Sequence, residues 1–255
     1  MFKHNNRIFS ILRYLLPATL FALLPLHAAS AADDAQPAPA AVLIELFTSQ
    51  GCYSCPPADE LLRDVYKKQA DVIPLEFHVD YWDTLVYGFA GSWKDPFSSA
   101  DYTNRQRAYN LSIRETGSMY TPQLIVQGQN ETVGTRQNTI DGFIDEEKTR
   151  TQPLQFYFSG NAQDGWKAEV RGTMQGNEDL YYAIYLQEVT TDVTSGENKG
   201  KSMVNSNIVK SIERRSARKR QVSVPSYNPE TEGCAVWVQK PQTGAVLAAA
   251  RCPRA

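Results

Sequence analysis

The stretch AVLIELFTSQGCYSCPPADELLRDVY, residues 41–66, decides how the whole chain is read. Ala41 to Phe47 is a short apolar, β-prone run, and beyond Ala58 the residues Leu61, Leu62, Val65 and Tyr66 recur at helical spacing. A strand therefore delivers Cys52-Tyr53-Ser54-Cys55 to the start of a helix. There, free backbone N–H groups and the positive end of the helix dipole favour a thiolate, lowering the pKa from its free value of about 8.5. Cys52, nearer the helix start and solvent, is the expected nucleophile, and Cys55, one turn deeper, the expected resolving thiol. Pro56 and Pro57 suit a first helical turn, where an N–H has no intrahelical acceptor. A structural disulfide and half of a metal site are the competing readings. The flanking strand and helix favour redox exchange.

The start of the chain reads as an export signal. Lys3, Arg7 and Arg13 precede the apolar run Tyr14 to Leu26, and Ala29-Ser30-Ala31 forms a small-residue cleavage site, so cleavage is expected near Ala31. An uncleaved anchor competes, but the run is shorter than the roughly 20 residues of a spanning helix. A periplasmic or secreted product follows, in a compartment where disulfides persist. Losing residues 1–31 removes three of 26 basic residues and none of the 28 acidic ones, a formal charge of −5. That balance excludes nucleic acid as an expected partner, and Arg214-Arg215 with Arg218-Lys219-Arg220 reads as a solvated loop. Residues 32–40, rich in Ala and Pro, read as a flexible lead-in. Near residue 150 the pattern changes from mixed α/β to almost pure strand, which predicts domains at 41–150 and 151–255.

Within the first of these, Val72 to Val79 predicts a second strand, ending at Asp80-Tyr81-Trp82. A helix is expected from Ser98 to Thr116: Ser98 with Asp101 gives a capping signature, Tyr102, Arg105, Tyr109 and Ile113 mark one face, and Gly117 ends it. Gln123 to Gln127 and Glu131 to Gly134 predict a hairpin, and a last helix buries Ile140, Phe143 and Ile144. The order β-α-β-α-β-β-α is that of an α/β thioredoxin-like fold in its minimal, glutaredoxin-like form, with parallel crossovers first and an antiparallel pair last. Thr121-Pro122 precedes the third strand, where thioredoxin-like proteins place a cis proline against the dithiol. A cis Pro122 exposes the Thr121 backbone beside Cys52, ready to pair with an extended substrate. Tyr53 and Trp82 complete the expected substrate-binding set.

The residues also carry a family likeness. Glu45-Leu46-Phe47-Thr48-Ser49-Gln50-Gly51-Cys52, Cys55-Pro56-Pro57-Ala58-Asp59, Phe77-His78-Val79-Asp80-Tyr81-Trp82-Asp83, Trp93-Lys94-Asp95-Pro96-Phe97, Arg105-Gln106-Arg107-Ala108-Tyr109 and Tyr120-Thr121-Pro122-Gln123 follow one pattern. It resembles the secreted bacterial family catalogued as domain of unknown function 1223, closely over residues 41–148 and more loosely through Asn207-Ile208-Val209-Lys210 and the last hairpin. The resemblance implies a thioredoxin-like domain followed by a β domain, and a thiol-disulfide role. This chain departs from the pattern by inserting residues around Val86 to Ser92, beside any substrate groove.

Two groups are candidates for tuning the dithiol. Glu45, seven residues before Cys52 in an otherwise apolar strand, is expected to serve as a buried proton acceptor for Cys55, against the alternative of a carboxylate facing solvent or paired with Arg or Lys. His78 is the one histidine left once His4 and His27 go with the signal, which rules out a His-rich metal site and leaves a hydrogen-bonded structural histidine as the simpler reading. Asp80, Tyr81, Trp82 and Asp83 either line the groove or anchor the insertion.

Seven alternating runs between Leu154 and Ala249 predict a small all-β sandwich. A hairpin placing Lys240 opposite Ala245 brings Cys234 near Cys252, so a structural disulfide is expected there. The function these features predict is thiol-disulfide exchange with protein thiols or disulfides of the cell envelope, with a membrane electron donor as a further possible partner and no bound cofactor. A copper(I) carrier built on Cys52 and Cys55, with Met119 as the nearest thioether, is the alternative, and an envelope interaction protein with an inert disulfide is the third.

Overall fold

The structure is a computed structural model that describes residues 1–2, 35–242 and 244–254. The expected signal peptide and the start of the lead-in lie almost wholly outside the described residues. Among the described residues, no helix is long and apolar enough to cross a membrane.

The first strands build outward from one apolar run. β1 (Gln36–Pro37) is followed by β2 (Val42–Thr48), α1 (Pro56–Asp64), β3 (Val72–His78), α2 (Ala100–Ile113), β4 (Gln123–Val126), β5 (Asn130–Val133) and α3 (Gln137–Thr149). β2 pairs parallel with β3, from Val42↔Val72 to Thr48↔His78, and antiparallel with β4, which in turn pairs with β5. Neighbouring strands cover both edges of β2 and helices cover both of its faces, so it is buried along its whole length. Its alternate side chains serve two cores. Val42, Ile44 and Leu46 pack with Ala58 and Leu62 of α1 and with Ile140 and Ile144 of α3, while Leu43 and Phe47 pack with Tyr102 and Tyr109 of α2. The α2 start is capped by Ser99, which accepts from the Asp101 N–H, and not by Ser98. Ser98 instead donates its hydroxyl to Asp83. The helix ends at Ile113, short of the expected Thr116.

The second half supplies β6 (Leu154–Asn161), β7 (Gly165–Gly172), β8 (Asp179–Asp192), β9 (Ser202–Ser216), β10 (Gln221–Val224), β11 (Glu232–Gln239) and β12 (Val246–Arg251). These strands do not stand apart as a separate domain. β8, β9, β11 and β12 continue the sheet of the first half in the order β12-β11-β8-β9-β3-β2-β4-β5, joined where β9 runs parallel to β3 at Glu76↔Ile208. The remaining strands form a sheet ordered β1-β6-β7-β10. It faces the extended sheet across a core of Phe156, Phe158, Val170 and Val222 against Leu180, Tyr182, Val236 and Val238.

The residues between, Tyr181, Ala183, Tyr185 and Trp237, turn to the other face and join the α2 core, where Trp237 stacks on Tyr181 at 5.2 Å. Strands β8 and β11 therefore belong to both cores at once. The boundary expected near residue 150 falls inside one compact unit that runs from Asp34 to the end of the chain. The lead-in departs from expectation too: Gln36 and Pro37 pair with Phe158 and Tyr157, and the Ala38 N–H donates to the Phe156 carbonyl.

Candidate functional site

Between the end of β2 at Thr48 and the first turn of α1, seven residues form a tight loop that carries the cysteine pair. Its backbone is tied locally: the Cys52 N–H donates to the Ser49 carbonyl and the Cys55 N–H to the Cys52 carbonyl. Cys52 and Cys55 are bonded to each other, with Cα atoms 5.4 Å apart. Pro56 and Pro57 occupy the first helical positions, and the Asp59 N–H opens the helical ladder on the Cys55 carbonyl. Strand β4 brings Thr121 alongside. Its hydroxyl lies 3.3 Å from Cys52 Sγ and accepts from Trp82 Nε1 at 2.8 Å, and the Thr121–Pro122 bond is cis. Trp82, Thr121, Pro122 and the two cysteines thus meet in one place. Tyr53 stands out from it, 66 % exposed.

The expectation of an exposed Cys52 sulfur fails, because both cysteines are buried. Part of the cover comes from the far half of the chain. The loop between β8 and β9 reaches back over the cysteine loop: Asn198 Nδ2 donates to the carbonyls of Gln50 and Cys52, both at 2.9 Å, and Glu197 Oε2 accepts the Tyr53 N–H at 2.9 Å. Lys201 lies over the Tyr53 ring at 4.4 Å, and Gln50 Nε2 donates to Asn205. The insertion around Val86 to Ser92 meets the same loop, through the Gly196 N–H on the Ala90 carbonyl and Ser195 on the Ser92 carbonyl. It leaves Leu85, Val86 and Phe89 exposed. Asp83 anchors its far end by accepting from Lys94, Ser98 and the Asp95 N–H. The residues Asp80 to Asp83 thus divide their roles, Tyr81 packing against the α2 core. Trp82 joins the site, Asp80 accepts from Thr103 of α2, and Asp83 holds the insertion.

Glu45 is not the acid beneath the dithiol. Alternation along β2 puts it with Leu43 and Phe47 on the α2 face, whereas α1 covers the opposite face with Val42, Ile44 and Leu46. There Arg105 grips it with two hydrogen bonds, Nε at 2.5 Å and Nη2 at 2.9 Å, and Tyr109 donates its hydroxyl to the same carboxylate. The guanidinium also stacks among the rings of Phe77, Tyr109, Tyr181 and Trp237. This is a buried, paired charge that ties β2 to α2 and β11.

Asp59 takes the place that Glu45 was expected to fill. It stands one helical turn after Cys55, on the same face of α1, and is buried. Thr48 donates to its Oδ1 at 2.7 Å, while Oδ2 is buried without a partner. Burial pushes its carboxyl well above the ordinary value, and Glu76 and Asp95 add to the rise against the Thr48 hydrogen bond and His78. His78 is buried between two acids, Nδ1 2.8 Å from Asp95 and Nε2 3.4 Å from Glu76. Burial acts against its charge, but Asp95 and Glu76 outweigh it and lift its pKa to about 10. Asp95 also accepts the Gln50 N–H, so this cluster is wired to the cysteine loop.

At the far end of the molecule Cys234 and Cys252 are bonded across β11 and β12, and the Cys252 N–H donates to the Cys234 carbonyl. Among the described residues, no three His, Cys, Asp or Glu side chains are grouped so as to hold a metal ion.

The sequence matches a family described as a protein of unknown function, DUF1223, over residues 43–239. No curated protein matches the chain. The X-ray crystal structure of a protein from Agrobacterium tumefaciens, a structural genomics target, is similar to it, with 29% identity and a TM-score of 0.67, over 84% of this chain and 94% of that one.

Proposed function

The chain belongs to the family of proteins of unknown function DUF1223, and from that premise we propose that it is an exported thiol-disulfide oxidoreductase with a thioredoxin-like dithiol site. One observation carries the reading: a bonded Cys52–Cys55 pair at the N-terminus of α1, with Thr121 against the first sulfur. In the reduced state the Cys52 sulfur attacks one sulfur of a substrate disulfide, breaking that bond and expelling a substrate thiolate, which takes up a proton. The Cys55 sulfur then attacks Cys52 in the mixed disulfide, closes the Cys52–Cys55 bond and releases the second substrate thiol. Read in the other direction, the same steps oxidise a dithiol. Asp59 is the group placed to take the Cys55 proton, since its free Oδ2 is buried one turn away and its raised pKa brings it closer to that of a thiol. Tyr53, Trp82 and Thr121 form the platform for an extended substrate segment of an envelope protein, in the periplasm or outside the cell.

Turnover tests the reading. Reduced protein is expected to reduce insulin disulfides and to be recycled by dithiothreitol, with Cys52→Ser inactive and Cys55→Ser trapped as a mixed disulfide on non-reducing gels. Adducts from Cys52→Ser and none from Cys55→Ser reverse the two roles. Wild-type protein that binds copper(I) stoichiometrically and turns over no disulfide removes the reading.

A further inference from the structure

Building on that reading, we infer that the loop between β8 and β9 fixes the direction of electron flow: Glu197 and Asn198, closed over two buried sulfurs, make the pair a reductant of oxidised cysteines in client proteins. Glu197 is a positioning residue in this scheme, since it acts on the sulfur through the Tyr53 backbone.

The argument starts from what makes a dithiol oxidising. A pair draws electrons strongly when its reduced form is stabilised, which means a thiolate held by charge and by N–H donors at the helix start. Here the helix start remains, but Pro56 and Pro57 leave it without two of its N–H donors, and a donor of the cysteine loop is turned away as well. The Tyr53 N–H, one of the donors of the cysteine loop, is spent on Glu197 Oε2, so a carboxylate stands where a thiolate would otherwise gain a hydrogen bond. The direct contacts of Cys52 Sγ carry no charge: the Ser54 hydroxyl lies at 3.4 Å, and the Thr121 hydroxyl donates to it at 3.3 Å, a support for a thiolate weaker than that of a cation. Both sulfurs are fully buried, and burial penalises the charged form.

The charged groups around the pair do not restore the thiolate. Lys201 lies over the Tyr53 ring and donates to Asn198 Oδ1, so its ammonium is engaged within the covering loop. On the α1 and β3 side Glu76 and Asp95 bracket His78, and burial favours the neutral form of Asp59 beside them, so no excess of positive charge faces the pair. Asn198 holds the arrangement shut by donating to the carbonyls of Gln50 and Cys52. With the thiolate disfavoured, the disulfide is the preferred form of the pair, and the dithiol passes its electrons on.

The substrate class follows. Each turnover gives two electrons and two protons from Cys52 and Cys55 to a client disulfide, leaving two client thiols and a closed Cys52–Cys55 bond. The reaction that precedes it must be dithiol transfer, in which a donor of low potential breaks that bond and becomes a disulfide itself.

The test equilibrates the full protein with glutathione buffers of graded poise and reads the fraction of reduced Cys52–Cys55 by alkylation and mass, with insulin turnover measured alongside. The wild-type pair is expected to stay oxidised in excess reduced glutathione and to be reduced by dithiothreitol. Glu197→Gln keeps an oxygen acceptor for the Tyr53 N–H and removes the charge; it is expected to lower the pKa of the reduced Cys52 thiol and, in buffers alkaline enough to populate the thiolate, to shift the equilibrium toward the dithiol by about threefold to tenfold, as suits one partly screened charge. A wild-type pair that glutathione readily reduces overturns the inference, and so does an unmoved equilibrium in Glu197→Gln in those alkaline buffers. Absent insulin turnover speaks against the exchange reading alone, since the equilibrium constant is read without it.

Discussion

Asp59 shows at the scale of one residue how stability and chemistry oppose each other. Its folded carboxyl lies above the ordinary value of 3.8, so the stability tied to its neutral form is complete below about pH 4 and is lost as pH rises through the folded value. Asparagine cannot ionise. Asp59→Asn is therefore expected to match the wild type in acid, to melt progressively higher than it as pH rises, and to resolve mixed disulfides about tenfold to a hundredfold more slowly. Thermal melts across pH with single-turnover kinetics check this, and a variant that resolves at the wild-type rate removes Asp59 from the proton path. Cys52, Cys55, Thr121 and Trp82 were legible because their spacing and flanking pattern are local. Glu45 was misplaced because its partner Arg105 lies 60 positions away, and only strand alternation decides which core it enters. Asp59 drew notice only as part of the family pattern, although its distance of four from Cys55 and three from Leu62 already put it on the buried stripe.

Among the elements, the hairpin of β11 and β12 was the most completely readable. The Lys240 N–H donates to the Ala245 carbonyl, and a one-residue register shift between Val238 and Gln239, which the sequence did not reveal, then sets Ala235 opposite Arg251 and brings the second cysteine pair together. Replacing Cys234 and Cys252 with Ala is expected to cost up to about 3 kcal/mol by the chain-entropy account of a loop this short. The Tm falls while insulin reduction by folded protein stays close to wild type. A folded double variant that has lost exchange would mean that the second pair passes electrons to the first. The α2 start was read one residue early, since Ser98 and Ser99 carry the same capping chemistry. The side chain of Ser98 is claimed by Asp83, a tertiary contact that no local pattern reveals.

For the molecule as a whole, the decisive misreading was the boundary near residue 150, and its cause is visible in the strands. β6 and β7 alternate, as strands with one buried face do, but Leu180 to Tyr185 and Cys234 to Val238 are continuously apolar, the mark of strands buried on both faces. Such strands need a second core, and the α2 side of the first half provides it. Heat or urea is accordingly expected to unfold residues 35–254 in one transition, seen alike by tryptophan fluorescence and far-ultraviolet circular dichroism. Two resolved transitions would restore the two-domain description. The tether from Asn198 to the Cys52 carbonyl spans 146 positions, and that from Asn205 to Gln50 spans 155. Synthesis runs from the N-terminus, so the ribosome makes the cysteine loop long before it makes the cover, and every chain cut short of Glu197 bears a naked pair. Closure of the site is thus a certificate of length: the pair gains its cover only after the loop between β8 and β9 and the start of β9 have been delivered.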